Sequence, residues 1–441
     1  MSPPTLDMNW DKYFNAVDNC ICSRLEGKVV KVTGLIAEGH GLGMSIGSTC
    51  RIENDQHSDL MAEVIGFNDN RVIMMPYGDT MGIRPGGRIV FIDNNPKVKV
   101  GNEFIGRVVD GMGEPIDNLG PIKESGYYPL YGTPTNPMQR EPITTLLDVG
   151  VASINTMVSL GQGQRIAVMS GSGVGKSVLI GMMTRHTAAD VTVIGLIGER
   201  GREVKDFVED TLGCDGLKKA VVVAATSDAP PLVRMRGAYL ATTLAEFFRD
   251  QGQNVLLIID SITRFAMSSR DVGLAAGEPP TSRGYTPSFF AKIPVLLERA
   301  GNFESSGSIT GIYSVLVEGD DLNDPVGDSV RSIVDGHIVL SRNMANRGHF
   351  PAVDVLESIS RVLPDVVPKE HLNVRNKAID AMARYRDAED MITIGAYVNG
   401  SDPGIDYAKG IMSRLNEFLK QEIKRKVPYR DGLNQLQGIM S

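Results

Sequence analysis

The 441-residue sequence predicts an α/β fold: a mainly parallel sheet covered by helices, preceded by a small β-barrel domain and followed by a helical C-terminal domain. Three observations predict it. From Asp148 to about Pro364, apolar runs alternate with helical spacing. Ahead of them lie short apolar segments separated by glycine-rich turns. Beyond Pro368 the pattern turns helical.

In the central region the strand candidates are Arg165–Met169, Val191–Ile197, Ala220–Ala225, Asn254–Ile259, Ser308–Val317 and His337–Leu340. They are apolar on both faces, as strands of a parallel sheet covered on both sides must be. This predicts one α/β domain over 148–367. From Gly27 to Val100 the segments Lys28–Leu35, Thr49–Glu53, Ala62–Phe67 and Arg71–Met75 carry the barrel signature. Residues 101–147, with Gly106–Asp117 and a proline-rich stretch through Pro142, read as a connector. Over 368–441 the clearest helices are Val374–Tyr385 and Tyr407–Lys426. At the start, Trp10, Tyr13, Phe14, Val17, Ile21 and Leu25 recur at three- and four-residue steps, so residues 1–26 predict one amphipathic helix whose face needs a partner.

The composition excludes several classes. With 42% hydrophobic and 22% charged residues the chain is globular, and a net charge of -8 lacks the basic footprint of a general nucleic-acid binder. Cys20, Cys22, Cys50 and Cys214 are too few and scattered for a disulfide framework or a four-ligand zinc site, which fits a reducing cytoplasm. The six histidines never take a metal-binding His-Glu-x-x-His spacing, and the basic run Lys420–Lys426 reads as a solvated helix face. Neither a signal peptide nor a bilayer-spanning apolar run is expected.

The strongest local signal is Ser170-Gly171-Ser172-Gly173-Val174-Gly175-Lys176-Ser177, between an apolar strand and the helix-compatible Val178–Arg185. Phosphate concentrates negative charge, so glycines that let successive N–H groups turn inward, capped by a helix N-terminus, make a cradle for it. Lys176 adds a cation for the β- and γ-phosphates of a nucleotide, and the Ser177 hydroxyl suits Mg²⁺. Val178 continues the same wall. Ser170 stands where the pattern usually has its first glycine.

Accessory acids separate hydrolases from other phosphate binders. Asp260 ends the strand candidate Asn254–Asp260, where an acid can hold Mg²⁺ at the carboxyl edge of a parallel sheet; the competing role is a helix N-cap. Glu199 follows Val191–Ile197 on the same edge and suits the orientation of attacking water; the competing role is a surface pair with Arg200 or Arg202. Arg200, beside it, joins the candidate catalytic set.

Together these motifs resemble the rotary and type III secretion ATPase superfamily, with a RecA-like P-loop core, from about Gly27 to about Lys409. Gly106–Asp117 is similar to the linker of ATP synthase β-subunits, Gly198–Glu203 to the segment with their catalytic glutamate, and Val255–Ala266 to their magnesium-binding strand and its continuation. Ser177 after the lysine, Gly277–Pro280, Gly284–Pro287, Glu318–Asp321 and Asp335–Arg342 look closer to the export branch, and Thr226–Asp228 and Phe247–Gly252 look closer to its flagellar than to its virulence-associated members. The resemblance implies that Phe350 stacks on adenine, rather than packing in a core. It implies that Arg361 is an arginine finger toward a neighbouring subunit, rather than a surface ion-pair partner. It further implies a homohexamer working with export substrates, their chaperones, stalk and regulator proteins and a membrane export gate. Residues 1–26 would then bind a partner and regulate assembly, in a cytoplasmic protein peripheral to the membrane. A virulence secretion ATPase and a rotary synthase subunit share the chemistry. A non-enzymatic scaffold or an RNA-driven ring would lack Glu199 or call for a basic surface.

Overall fold

A computed structural model of the chain describes residues 25–40, 43–54, 58–132, 136–304, 306–317 and 324–441. The N-terminal helix expected over 1–26, except its last two residues, lies outside them, as do Cys20, Cys22 and Glu318–Asp321. The chain divides into two compact units after Pro96.

The first unit is a closed six-stranded barrel: β1 (Glu26–Thr33), β2 (Ile36–His40), β3 (Thr49–Ile52), β4 (Leu60–Asn68), β5 (Arg71–Pro76) and β6 (Arg88–Asp93). Its strand order is β1-β2-β5-β4-β3-β6. Two of these strands were not among the segments read from the sequence. The expected run Lys28–Leu35 breaks at Gly34, whose φ of 56° turns the chain into β2, and β6 is bounded by charged residues that blunt its apolar signal. Val29, Ala37, Ile52, Val64, Met74 and Ile89 fill the interior. Cys50 is buried there; burial, aided by Glu63, pushes its thiol up to about 12, so it is inert.

The second unit begins with β7 (Lys97–Val100), β8 (Val108–Asp110) and β9 (Gly126–Pro129), and β7 pairs with β9 as a separate ribbon. A short pair follows, β10 (Leu146–Leu147) with β11 (Leu160–Gly161). The main sheet is built from β12 (Arg165–Ser170), β13 (Val191–Ile197), β14 (Ala220–Ala225), β15 (Asn254–Asp260), β16 (Gly301–Asn302), β17 (Ser308–Leu316), β18 (Gly336–Leu340) and β19 (Val353–Ser360), with β8 at one edge. The order is β19-β18-β12-β17-β15-β13-β14-β8, with β16 attached to β17. Strands β18 through β8 run parallel, and only β16 and β19 pair antiparallel. Every residue of β13 and β14 is buried, because helices cover both faces.

The segment read as a connector therefore supplies a sheet strand. Its turn is held by Arg107, which donates to both oxygens of Asp117 at 2.7 and 2.8 Å, while Asp117 also accepts from the Val108 N–H. That hydrogen bonding keeps the Asp117 carboxyl well below the usual carboxylate range.

Principal helices are α1 (Lys176–His186), α2 (Pro231–Asp250), α3 (Ile262–Ala275), α4 (Lys369–Thr393), α5 (Pro403–Leu419) and α6 (Tyr429–Met440). The last three share one hydrophobic cluster with the sheet, through Ala378, Ala381, Ile411, Leu415 and Leu436 beside Ile166, Val168 and Ile338. The single helix expected over Tyr407–Lys426 ends instead at Leu419, and the basic run lies in an irregular stretch. Tertiary hydrogen bonds override helical propensity there: Gln421 is buried with its amide on Gly150, Ala152 and Arg425. Pro428 then caps α6, a helix absent from the sequence reading.

Gly307 sets the start of β17 against the turn that begins β15, since its N–H donates to the Arg249 carbonyl and a Cβ there would lie 1.9 Å from the Gln253 carbonyl oxygen. Gly307→Ala is expected to destabilise the unit by about 1–3 kcal/mol, read as a lower thermal midpoint by calorimetry. An unchanged midpoint would contradict this packing.

Candidate functional site

The phosphate cradle sits where β12 gives way to α1. Gly173 and Gly175 have φ of 78° and 95°, left-handed values that favour glycine, and Gly175 occupies the N-cap of α1. Ser170 departs from the glycine pattern where the backbone permits it, although its buried hydroxyl has no hydrogen-bond partner among the described residues. It lies inside β12, paired with Leu316 and Leu340, where extended backbone accepts a side chain. Gly171, Ser172, Gly173, Gly175, Lys176, Ser177 and Val178 line a cavity of about 480 Å³. Val174 is buried beneath the loop instead.

Two carboxylates close on the lysine. The Lys176 ammonium is hydrogen-bonded to Asp260 Oδ1 and lies 3.6 Å from Glu199 Oε1. Asp260 ends β15 and Glu199 follows β13, adjacent parallel strands whose carboxyl ends coincide. The lateral register of one sheet thus brings together groups far apart in sequence. Asp260 is not the helix cap; Ser261 is, accepting from the Arg264 N–H. Nor does Glu199 pair with a neighbouring arginine, since Arg200 reaches Glu203 and Arg202 reaches Asp206. Arg200 lines the cavity but its side chain is 81% exposed.

Burial governs the protonation here. Burial disfavours charge on Lys176, but Asp260 and Glu199 outweigh it and hold the ammonium above its ordinary range. Burial also pushes the Glu199 carboxyl up to about 7; Lys176 opposes that rise, while Asp260 and Glu203 add to it. One cation facing two buried acids leaves the second acid under-compensated.

The site also includes residues to which sequence reasoning gave no role, among them Ser314, Arg264 and Ser227. Ser314, fully buried in β17, donates to Asp260 Oδ1 at 2.6 Å. Nothing local singles it out, because the same strand also carries the hydroxyls of Ser308, Thr310 and Tyr313. Arg264 lines the cavity with its stem against Gly198, and Ser227 donates its N–H to the Glu199 carbonyl at 2.9 Å. Arg264 was quoted within a motif but given no role.

The two residues assigned by resemblance lie apart from each other. Phe350 is 48% exposed, so it is not core packing, and a Cβ on Gly175 would lie 3.6 Å from its ring. Arg361 follows β19, whose end pairs with the beginning of β18, whereas the end of β18 pairs with Ser170. It therefore sits at the amino edge, about 13 Å along the strands from the cradle. Among the described residues no carboxylate forms an ion pair with Arg361.

Such a cradle, on such a sheet, belongs to a P-loop nucleotide hydrolase. The ATP synthase alpha/beta family matches this chain twice, by its beta-barrel domain over residues 26–92 and its nucleotide-binding domain over 150–360; the T3SS EscN ATPase C-terminal domain matches 367–438. Proteins called flagellum-specific ATP synthase are 50% identical in Bacillus subtilis, over 90% of both chains, and 46% in Salmonella typhimurium, over 94% of this chain and 93% of the relative. The assembled ATPase EscN from the enteropathogenic E. coli type III secretion system aligns with a TM-score of 0.88 at 41% identity, covering 94% of this chain and all of that one. The chain belongs to the ATP synthase alpha/beta family, in the group of the flagellum-specific ATP synthases, and is an ATP hydrolase.

Ser314→Ala would remove one of the two partners of Asp260 Oδ1. A lower thermal midpoint is expected, with a loss of about 1–3 kcal/mol for the under-bonded buried acid. Calorimetry of the nucleotide-free protein measures it, and Ser314→Thr should recover most of the loss.

Proposed function

We propose that this chain is the ATPase of flagellar-type protein export, hydrolysing ATP with Mg²⁺ in a homohexameric ring. The observation that carries the chemistry is the convergence of Asp260 and Glu199 on Lys176 at the carboxyl edge of the sheet, with Lys176 and Glu199 lining the cavity and Asp260 buried behind them. In this reading the N–H groups of Gly171–Ser177 and the Lys176 ammonium hold the β- and γ-phosphates. Glu199 accepts a hydrogen bond from the attacking water and aligns it; the water oxygen bonds to the γ-phosphorus as the bond to the bridging oxygen breaks, leaving ADP and phosphate. Phe350 stacks on the adenine.

Ser177 and Asp260 would hold Mg²⁺. Both are oxygen donors, and among the described residues there is no cluster of three or more acids, histidines or cysteines to cage a metal. Oxygen donors of this kind suit Mg²⁺, which takes few protein ligands and completes its shell with phosphate and water. When bound, it neutralises charge on the phosphates.

Position supports a trans role for Arg361. It cannot reach its own cradle across the sheet, but a head-to-tail ring would bring it to a neighbour's. The assembled EscN likeness and the solved complex of EscN with its central stalk EscO, at TM-score 0.87 and 40% identity, support a ring with a stalk partner. The 46–50% identity to flagellum-specific relatives favours flagellar substrates and their chaperones over a virulence system. In this reading the protein is a cytoplasmic enzyme that visits an export gate; no helix among the described residues is long and apolar enough to cross a membrane.

Two tests follow from the chemistry. Ionised Glu199 is the working form, and its carboxyl is raised, so the rate should fall as pH drops through about 7 rather than in the usual carboxylate range. Steady-state profiles measure this; Glu199→Gln should be nearly inactive and flat in pH while still binding ATP. For the ring, Arg361→Ala should lower kcat by about a thousandfold. Mixing Arg361→Ala with Glu199→Gln subunits should restore part of the rate, because some interfaces regain both groups. No recovery on mixing would place Arg361 outside the neighbour's site. Affinity purification from the source cell, yielding flagellar or injectisome components, decides the export context.

A further inference from the structure

We propose that Gln421 is a positioning residue for nucleobase binding, its buried amide fixing the stretch of backbone that holds Phe350 beside the P-loop. The inference rests on the reading of Phe350 as the base-stacking aromatic. Phe350 is half-exposed, so its neighbours in the core do not lock it. Its carbonyl oxygen instead accepts the main-chain N–H of Gln421 at 2.9 Å. That bond is only as well placed as Gln421 itself.

Gln421 is 7% exposed, and its amide is fully engaged. Nε2 donates to the carbonyls of Gly150 at 2.8 Å and Arg425 at 2.6 Å, and Oε1 accepts the Ala152 N–H at 2.8 Å. The Gly150 carbonyl also accepts the Val427 N–H at 3.0 Å, closing the irregular stretch 420–428 onto the turn before the main sheet. Gly150 in turn packs on the last residue of α1, since a Cβ there would lie 2.4 Å from His186 Cβ. One side chain thus ties the C-terminal helices to the far end of the P-loop helix, while its own N–H reaches Phe350 near that helix's beginning. A cavity of about 620 Å³, lined by Phe350, Gln421, Arg414, Glu417 and Arg425 among others, lies where the base would enter. The irregular stretch between α5 and α6 would otherwise be free to shift, and with it the aromatic face.

The test uses the full-length protein with Gln421→Ala, Phe350→Ala and inorganic tripolyphosphate, which carries no base, as a competitive inhibitor. Gln421→Ala should raise KM for ATP roughly tenfold while kcat at saturating ATP stays within about twofold and the inhibition constant for tripolyphosphate is unchanged. Parallel weakening of tripolyphosphate, or a fall in kcat with KM held, would mean general loss of order and overturn the assignment. Phe350→Ala separates the two claims. If it leaves KM for ATP unchanged, the stacking reading has failed; if it raises KM and Gln421→Ala does not, the positioning role has failed. Gln421→Met keeps the side-chain volume without the amide and replaces Gln421→Ala if that variant does not fold, with the same outcomes decisive.

Discussion

One buried ammonium shared by two carboxylates is the constraint from which the rest of the active region follows. Lys176 is brought there by the turn from β12 into α1, Asp260 by β15 and Glu199 by β13. A single cation cannot fully compensate two acids in a site of low dielectric, so the deficit must fall on one of them. Asp260 has the closer contact and a second donor in Ser314, and Glu199 has neither. The acid left with the raised pKa is therefore the one facing the cavity, which is the acid that the proposed chemistry asks to handle a water.

That division depends on the sheet rather than on local sequence. Parallel strands present all their carboxyl ends along one rim, so a residue just past β13 and the last residue of β15 become neighbours although 61 positions separate Glu199 from Asp260. Ser314 enters by the same register, one strand further along. The helices on either face keep water from the strands, and the shared cluster with α4, α5 and α6 extends that dry interior into the C-terminal region.

What could be read from the chain alone followed how local each determinant is. The cradle was legible because strand, glycine turn and helix are contiguous, and even Ser170 proved compatible once its extended pairing was seen. The six central strands were legible because strands buried on both faces carry long apolar runs. Strands β2 and β6 of the barrel were not, since the turn at Gly34 lies inside what reads as one apolar run and the charged ends of β6 blunt its signal. Ser314 and Gln421 were invisible for a different reason. Each looks like an unremarked polar residue until its tertiary partners are known, and the break in the expected Tyr407–Lys426 helix comes from those partners, not from a local breaker.

The polarity of the sheet finally separates two kinds of arginine. Arg264 reaches the cavity from α3, on the same edge as the phosphates, and so can act within its own chain. Arg361 stands at the opposite edge because β19 runs against its neighbours and delivers its last residue beside the beginning of β18. An exposed guanidinium without a carboxylate partner among the described residues is well hydrated and gains little where it stands. In the proposed reading its chemistry would become useful against an anion supplied from outside the protomer. The proposed ring of identical subunits would offer that geometry at every interface, and hydrolysis would then depend on assembly without any further switch.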